Sequence, residues 1–212
     1  ASLAVPRVGL AWGKEGHRIV ARIAARNLLQ TTRDKLRAIL GVTSDAALAN
    51  AMASAAIWPD RIDRAATGTG RWHFINVPIA SPFAVAGHCP NHDCVIDRIE
   101  EVRHRLQTNQ HGFALLAPPN PPRPMTSQEL AFLIHFVGDV HQPLHLTSRF
   151  LKSQPNGDAG GNFVFVEPGR TLHSLWDNAA APRDLSDDDI VRYAREIMAD
   201  YPAGSPLSLD PA

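Results

Sequence analysis

The sequence lacks an excess of charge, a long apolar run and more than two cysteines, and each absence narrows what the protein can be. Its 21 basic residues equal its 21 acidic residues, so no basic field is available to hold duplex nucleic acid by counterion release alone. No segment is long and apolar enough to span a membrane. The length of 212 residues, 44% of them hydrophobic, suits one soluble globular domain with a sizeable core.

The only two cysteines, Cys89 and Cys94, lie in the stretch HCPNHDC with four residues between them. In an exported chain this spacing is typical of one small disulfide loop. A small zinc knuckle that includes His88 and His92 is the alternative. We favour the disulfide because one tight loop is cramped for four metal ligands.

The first eleven residues, ASLAVPRVGLA, are small and apolar, and Gly9-Leu10-Ala11 is typical of a signal-peptidase site directly before Trp12. We therefore expect residues 1–11 to be the remainder of a signal peptide, with a disordered N-terminal extension as the alternative. On this expectation the mature chain starts at Trp12, residues 12–212 form a single domain, and the protein is secreted or periplasmic.

Histidine, by contrast, is abundant, with ten residues in clusters. In the stretch that starts at Thr126, a capping box with Glu129 and helically spaced apolar residues predict an amphipathic helix. His135 and Asp139, four residues apart, share one face of that helix and could hold one metal ion. Taken alone, a surface hydrogen bond or salt bridge is the commoner explanation. His145 lies beyond the helix end and must point elsewhere.

Helical periodicity recurs along the rest of the chain and predicts a mainly α fold. We expect helices over residues 16–29, 44–57 and 95–106, a shorter one ending before Gly41, and a last one capped by Ser186. Residues 72–78 are expected to be a short extended segment or loop, and residues 163–166 one arm of a β-hairpin.

The spacing of His135 and Asp139 is repeated at His173 and Asp177, which favours metal binding over coincidence. The candidate ligands are histidines, carboxylates and a chain terminus, all donors that zinc accepts: Trp12, His17, Asp60, His73, His135, Asp139, His145, His173 and Asp177. None is a thiolate, and zinc sites of histidine and aspartate with open positions are typical of catalysis. A dinuclear iron bundle would require Glu-x-x-His pairs instead.

In these residues the chain resembles the superfamily of zinc-dependent phospholipases C and single-strand-specific nucleases, and within it the nucleases of the mung bean type. The resemblance runs from Trp12 to about Asn178 and includes the spacings of five, four, six and four residues that separate successive ligands. It implies a mainly α, single-domain, multi-helix phospholipase C/nuclease-like fold with a small β-hairpin.

The resemblance also implies three zinc ions as cofactors. One would be held by Asp60, His73, His135 and Asp139, a second by Asp139, His17 and the α-amino nitrogen and carbonyl oxygen of Trp12, and a third by His145, His173 and Asp177. A shared carboxylate can hold two ions about 3.5–4 Å apart, and a water between them becomes the nucleophile. The third ion can offset charge on the departing oxygen.

For the substrate, the resemblance implies that a base stacks on Phe74 and bonds to Asn178, with ordinary packing as the alternative. Both contacts need an unpaired base, which would explain a preference for single strands without a basic groove.

The family usually has Arg or Lys three residues after the first-site aspartate. Here that position is Asp63, flanked by Arg61 and Arg64, which become the candidate phosphate contacts. Asn76 stands where the family has an acidic residue and is expected to accept a hydrogen bond near the reaction.

The implied function is a secreted trinuclear-zinc phosphodiesterase that hydrolyses single-stranded DNA and RNA to 5′-phosphate products, with 3′-nucleotidase activity and no stable protein partner. A phospholipase C of the same fold is the first alternative. It is disfavoured because the resemblance to that branch would imply a longer spacing between the tryptophan and the histidine, and a glutamate in place of Asp177. A zinc-binding protein that has lost catalysis is the second alternative, motivated by Asp63, Asn76 and the early end of the chain.

Overall fold

The computed structural model describes residues 12–79, 87–108, 126–179 and 184–200, and there the chain is mainly helical, as predicted. The helices are α1 (Lys14–Asn27), α2 (Gln30–Leu40), α3 (Asp45–Ala55), α4 (Arg64–Thr67), α5 (Val95–Thr108), α6 (Ser127–Asp139), α7 (Leu172–Asp177) and α8 (Asp187–Asp200). None of the helices in these ranges is long and apolar enough to cross a membrane. The expected signal-peptide remainder lies outside the described residues.

Two small sheets accompany the helices. Strand β1 (Val77–Pro78) pairs in parallel with β2 (Thr147–Ser148), and β3 (Phe165–Glu167) pairs antiparallel with β4 (Arg170–Thr171). The second pair is the expected hairpin, although its first strand starts two residues later than predicted. The parallel pair was not predicted, because two-residue strands far apart in the chain carry no periodic signal.

Helix α6 has the start that its sequence predicts. The hydroxyl of Thr126 accepts a hydrogen bond from the Glu129 amide at 3.2 Å, and the Glu129 carboxylate accepts one from the Thr126 amide at 2.7 Å. The helix ends at Asp139, and Pro143 begins a 3₁₀ turn that carries His145. Capping therefore sets the register that places His135 and Asp139 on one buried face.

The core lies between α6 and its neighbours. Phe132 and Phe136 of α6 pack against Trp72 and against α5, in the largest cluster of buried apolar residues within the described ranges. Small residues such as Ala21 and Ala56 let α1 approach α3, while Ile190 of α8 packs on the other side of α1. Burying a side chain the size of Phe136 contributes roughly 1.5–3 kcal/mol. This packing holds α1 and α6 side by side.

The segment expected to be extended or a loop, residues 72–78, departs from that prediction only at its start. Its first two residues belong to a 3₁₀ turn, Gly70–His73, while residues 74–76 are irregular and residues 77–78 form β1. Past the turn, the amide of Ile75 donates to the carbonyl of His145 at 2.7 Å. The turn and the strand pair therefore bring His73 and His145 to the same region.

Cys89 and Cys94 are joined by a disulfide, which confirms the first of the two alternatives for this pair. The bridge closes the loop directly before α5.

Candidate metal centre

Asp139, fully buried at the end of α6, has its two carboxylate oxygens facing different histidines. Its Oδ2 atom lies 3.1 Å from Nδ1 of His73 and 3.3 Å from Nε2 of His135. Its Oδ1 atom lies 3.3 Å from Nε2 of His17, which α1 contributes. One carboxylate thus joins two groups of nitrogen donors, as a bridging ligand would.

Asp60 completes the group around His73 and His135. Its Oδ1 atom lies 3.8 Å from Nδ1 of His73 and 3.5 Å from Nε2 of His135, and those two nitrogens are 3.0 Å apart. Donors bound tetrahedrally to zinc at about 2.0–2.1 Å lie roughly 3.3–3.4 Å from one another. The separations of these side-chain atoms therefore match the spacing that one zinc ion requires.

A further group forms around His145, which the chain places beyond α6. The Nε2 atoms of His145 and His173 are 3.1 Å apart, and Nε2 of His173 lies 3.7 Å from Oδ1 of Asp177. All three side chains are buried. The structure thus brings the second His/Asp pair of the sequence together with His145.

Backbone carbonyls orient three of these histidines. The Nδ1 atom of His135 donates to the backbone carbonyl of Ala56 at 2.7 Å. The Nδ1 atom of His145 donates to the backbone carbonyl of His73 at 2.6 Å, and the Nδ1 atom of His173 donates to the backbone carbonyl of Gly160 at 2.8 Å. A carbonyl can only accept, so in the neutral ring each bond leaves the Nε2 lone pair facing its group, the arrangement typical of histidines that bind metal. The sequence contains no signal for these acceptors.

Two glycines make room for this arrangement. A Cβ atom on Gly138 would lie 2.7 Å from Nδ1 of His17, so only glycine lets the imidazole pack against α6. Gly160 has a φ of +60°, and a Cβ atom there would lie 2.1 Å from the carbonyl oxygen of Leu144. Glycine at this turn lets its own carbonyl reach His173.

The electrostatics of the buried groups favour a cation. Burial lowers the pKa of His145 to about 4, and it also lowers the pKa of His17. For His135, burial is outweighed by the charges of Asp139 and Asp60, which raise its pKa to about 9. Burial would raise the pKa of Asp139, but His135 and neighbouring ring nitrogens hold it well below its usual value. The carboxylate is therefore ionised and attracts positive charge.

Several buried oxygen and nitrogen atoms in these groups, all able to bind a metal, have no hydrogen-bond partner. They include Oδ1 of Asp60, Oδ1 of Asp139, Nε2 of His73 and both ring nitrogens of His17. A buried polar atom left unpaired costs about 1–3 kcal/mol, and more when it is charged. A divalent cation would satisfy the carboxylate oxygens and Nε2 of His17, so the residues present fit a metal centre.

Trp12 lies in the bend that precedes α1, and its side chain packs on Gly16. The amide of the next residue, Gly13, donates to the carbonyl of Asp177 at 2.6 Å. The start of α1 is therefore attached to the end of α7, beside the group that contains His173.

An open cleft of about 550 Å³ lies beside the histidines. It is lined by His73, His145 and His173, by the predicted substrate contacts Phe74, Asn76 and Arg64, and by Arg71, Leu144 and Asn162 among others. Arg61 is exposed and does not line the cleft. Asn178 is half-buried and does not line it either, and its side-chain amide donates to the carbonyl of Ser174. The cleft therefore brings together part of the predicted substrate site.

Asp63, which stands where the family that the sequence resembles usually has a basic residue, has a structural role. Its Oδ1 atom accepts hydrogen bonds from the amides of Ala65 and Ala66, each at 3.0 Å, and so caps α4. Arg64, the first residue of α4, lines the cleft, with Nη1 3.4 Å from Oδ1 of Asp60.

Gln142 is a buried polar residue that the sequence does not reveal. Its Nε2 atom donates to Oδ1 of Asp177 at 2.8 Å, and its Oε1 atom accepts from the amide of Leu144 at 2.6 Å. The bond orients the oxygen of Asp177 that faces His173, and so a candidate metal ligand. Its only signal in the sequence is its position between His141 and Pro143.

Residues 12–207 match the family model described as S1/P1 Nuclease. Over 197 residues the chain is 28% identical to Endonuclease 2 of Arabidopsis thaliana, an alignment that covers 89% of this chain and 62% of that protein. It is 32% identical over 186 residues to Nuclease S1 of Aspergillus oryzae, covering 84% and 57%, and 29% identical over 174 residues to Nuclease P1 of Penicillium citrinum, covering 78% and 57%. The chain thus spans less than two thirds of the length of these relatives.

Proposed function

The chain belongs to the S1/P1 nuclease family, and from this premise we propose that it is a zinc-dependent phosphodiesterase that hydrolyses single-stranded DNA and RNA to 5′-phosphate products and also acts as a 3′-nucleotidase. The observation that carries the proposal is the position of Asp139, whose two oxygens face different histidines 3.1–3.3 Å away. Such a shared carboxylate is what a pair of ions acting on one phosphate requires.

Three zinc ions are part of this proposal. The ligands would be Asp60, His73, His135 and Asp139 for the first, Asp139, His17 and the main-chain nitrogen and carbonyl of Trp12 for the second, and His145, His173 and Asp177 for the third. Five imidazoles in the set favour zinc over magnesium or calcium, which prefer oxygen ligands. When bound, the ions would lower the pKa of a shared water and offset charge on the departing oxygen.

The chain's own residues would position the substrate. Asp139 holds the first two groups together, and Asp60 completes the first group. Asn76 would accept a hydrogen bond near the scissile phosphate, and Arg64 would donate to its oxygens from beside Asp60. Phe74 would stack on an unpaired base. Arg61 and Asn178 would contact only parts of a substrate that extend beyond the cleft.

Export to an oxidising compartment, outside the cell or in the periplasm, also belongs to the proposal, and the disulfide between Cys89 and Cys94 supports it. An α-amino group at Trp12 would require cleavage after Ala11, since an amide nitrogen inside a chain is a poor zinc ligand. N-terminal sequencing of the exported protein tests this point. A mature chain that starts elsewhere would remove Trp12 from the second ligand set.

The function is tested by assaying zinc-loaded protein on denatured DNA, duplex DNA, a 3′-mononucleotide and phosphatidylcholine vesicles. We expect cleavage of denatured DNA and release of phosphate from the mononucleotide, slow cleavage of the duplex, and no lipid turnover. Lipid turnover with intact DNA would replace the proposed activity by that of a phospholipase C. Zinc binding without cleavage of any substrate would indicate a catalytically inactive metal-binding protein.

A further inference from the structure

Residues 64–71 form one wall of the cleft and have an arginine at each end. The side chain of Arg64 is 19% exposed, with its guanidinium 3.4 Å from Asp60 in the first metal-binding group. The side chain of Arg71 is 54% exposed, and its Nε atom lies 3.4 Å from Oδ2 of Asp93. The two cations therefore lie at different depths, one beside the metal-binding group and one at the solvent edge.

Asp93 is held in place by groups other than Arg71. Its Oδ1 atom accepts a hydrogen bond from Nε1 of the buried Trp72 at 2.8 Å, and its amide donates to the carbonyl of Pro90 at 3.2 Å. It also lies inside the loop that the Cys89–Cys94 disulfide closes. The carboxylate that faces Arg71 is thus fixed by a core indole and a covalently closed loop.

The same loop supports the neighbouring part of the cleft. Directly after the disulfide, the amide of Val95 donates to the carbonyl of Phe74 at 3.2 Å. The guanidinium of Arg98 lies 5.3 Å from the ring centroid of Trp72 and donates to the carbonyl of His92 at 2.7 Å. The wall that carries Arg71 and Phe74 is therefore attached to α5 through the disulfide loop.

An exposed ion pair contributes little to stability, so stabilisation is not the main effect expected of the contact between Arg71 and Asp93. Orientation is the effect that such a pair can produce, because a fixed carboxylate limits the rotamers of a long side chain. An arginine held at the edge of a cleft can still offer its remaining N–H groups to a phosphate.

We propose that Arg71, positioned by Asp93, binds a phosphate of the substrate strand other than the one that is hydrolysed. The inference rests on the proposed function and names its preferred substrate class, which is an oligonucleotide with two or more phosphates. Arg71 is the substrate-binding residue, and Asp93 is a positioning residue that acts through it. A mononucleotide carries only the phosphate at the metals and gains nothing from Arg71.

The test compares Arg71→Ala with Arg192→Ala, a matched control on α8. Both arginines pair with an aspartate and both side chains are 54% exposed, but Arg192 does not line the cleft. Binding of a fluorescent, phosphorothioate-linked single-stranded 12-mer to zinc-loaded protein is measured by anisotropy at several salt concentrations. Values of kcat and KM are measured for an ordinary 12-mer and for a 3′-mononucleotide, and melting curves verify that each variant is folded.

For Arg71→Ala we expect roughly tenfold weaker binding of the 12-mer, as for the loss of one charge-assisted contact. The slope of log Kd against log salt should fall by about 0.7, the value for one phosphate contact on a single strand. KM for the 12-mer should rise with kcat unchanged, and kcat/KM for the mononucleotide should stay within about twofold. Arg192→Ala should behave as the wild type.

Asp93→Asn keeps an oxygen for Trp72 but removes the charge that faces Arg71, so it should raise KM for the 12-mer less than Arg71→Ala does. Equal losses on both substrates, or an unchanged salt slope in Arg71→Ala, would overturn the inference. A wild type that hydrolyses neither substrate, yet binds the 12-mer with a slope that depends on Arg71, would refute the proposed function and leave the phosphate contact standing.

Discussion

The Oδ1 atom of Asp139 lies 3.3 Å from the Nε2 atom of His17, and both side chains are buried. The contact joins the first described helix to the central one, and it exists because Gly138 leaves space for the imidazole. The other oxygen of the same carboxylate faces His73 and His135. Because the two oxygens of Asp139 face different histidines, substitutions at or beside this residue are expected to affect both groups of metal ligands.

Replacing Asp139 by Asn should empty two metal sites together, because the amide cannot bridge two cations. We expect the zinc content to fall from about three ions to about one per chain, and the nuclease activity to fall by more than about 100-fold. His173→Ala should remove about one ion. Mass-spectrometric metal analysis of both variants measures this difference, and an unchanged zinc content in Asp139→Asn would refute the bridging assignment.

Replacing Gly138 by Ala should displace His17, since the added methyl group would lie 2.7 Å from its ring. We expect a loss of about 1–3 kcal/mol in the free energy of unfolding, together with weaker binding of one zinc ion. Val137→Ala, at an exposed position of the same helix, is the control. Urea unfolding and chelator competition give the two quantities. Wild-type zinc affinity in Gly138→Ala would show that His17 can move without consequence.

Gln142→Ala should loosen the third metal site by removing the hydrogen bond to Asp177. The expected effect is a 10- to 100-fold weaker affinity for one of three zinc ions, in the range typical of groups that orient ligands. Titration with a chromogenic chelator resolves the weakest site. If all ions are released at the wild-type chelator concentration, Gln142 supports only the backbone at Leu144.

In chelator-treated protein, stability should fall as the pH falls below 6.5. Burial lowers the pKa of His145 to about 4, so the unfolded chain takes up a proton at a pH where the folded chain does not. This difference in proton binding leaves the free energy of unfolding unaffected above pH 6.5. It lowers that free energy by up to about 3 kcal/mol as the pH falls to about 4. Urea unfolding at pH 7 and pH 4.5 should show a smaller difference for His145→Gln than for the exposed control His141→Gln. Equal differences would contradict the burial argument.

Much of this architecture follows from local rules. The capping box at Thr126, the apolar spacing of α6 and the glycine after α2 depend on residues within one or two helical turns. Helices α1, α3, α5, α6 and α8 were therefore predicted close to their observed bounds, and the end of α2 was predicted as well. The pairs of His135 with Asp139 and of His173 with Asp177 also depend only on residues about one helical turn apart. The disulfide was predicted because its two cysteines are close in the chain.

The 3₁₀ turn at Gly70–His73 and the parallel pairing of Val77 with Thr147 were not predicted, because both depend on contacts with distant segments. The role of Asp63 was also missed. A helix of four residues is too short to show a periodic pattern in the sequence, so nothing marked Asp63 as its cap.

By itself, the sequence determined which residues can donate to a metal and which of them share a helix face, since side-chain chemistry and the 3.6-residue period are properties of short stretches. Tertiary structure decided the remainder: which oxygen of Asp139 faces which histidine, which carbonyl orients each ring, and that Arg71 reaches the cleft from beside Asp93. The physical reason is that a metal-binding group needs donor atoms within about 4 Å of one another. Packing between helices that are far apart in the chain brings the donor atoms within this distance.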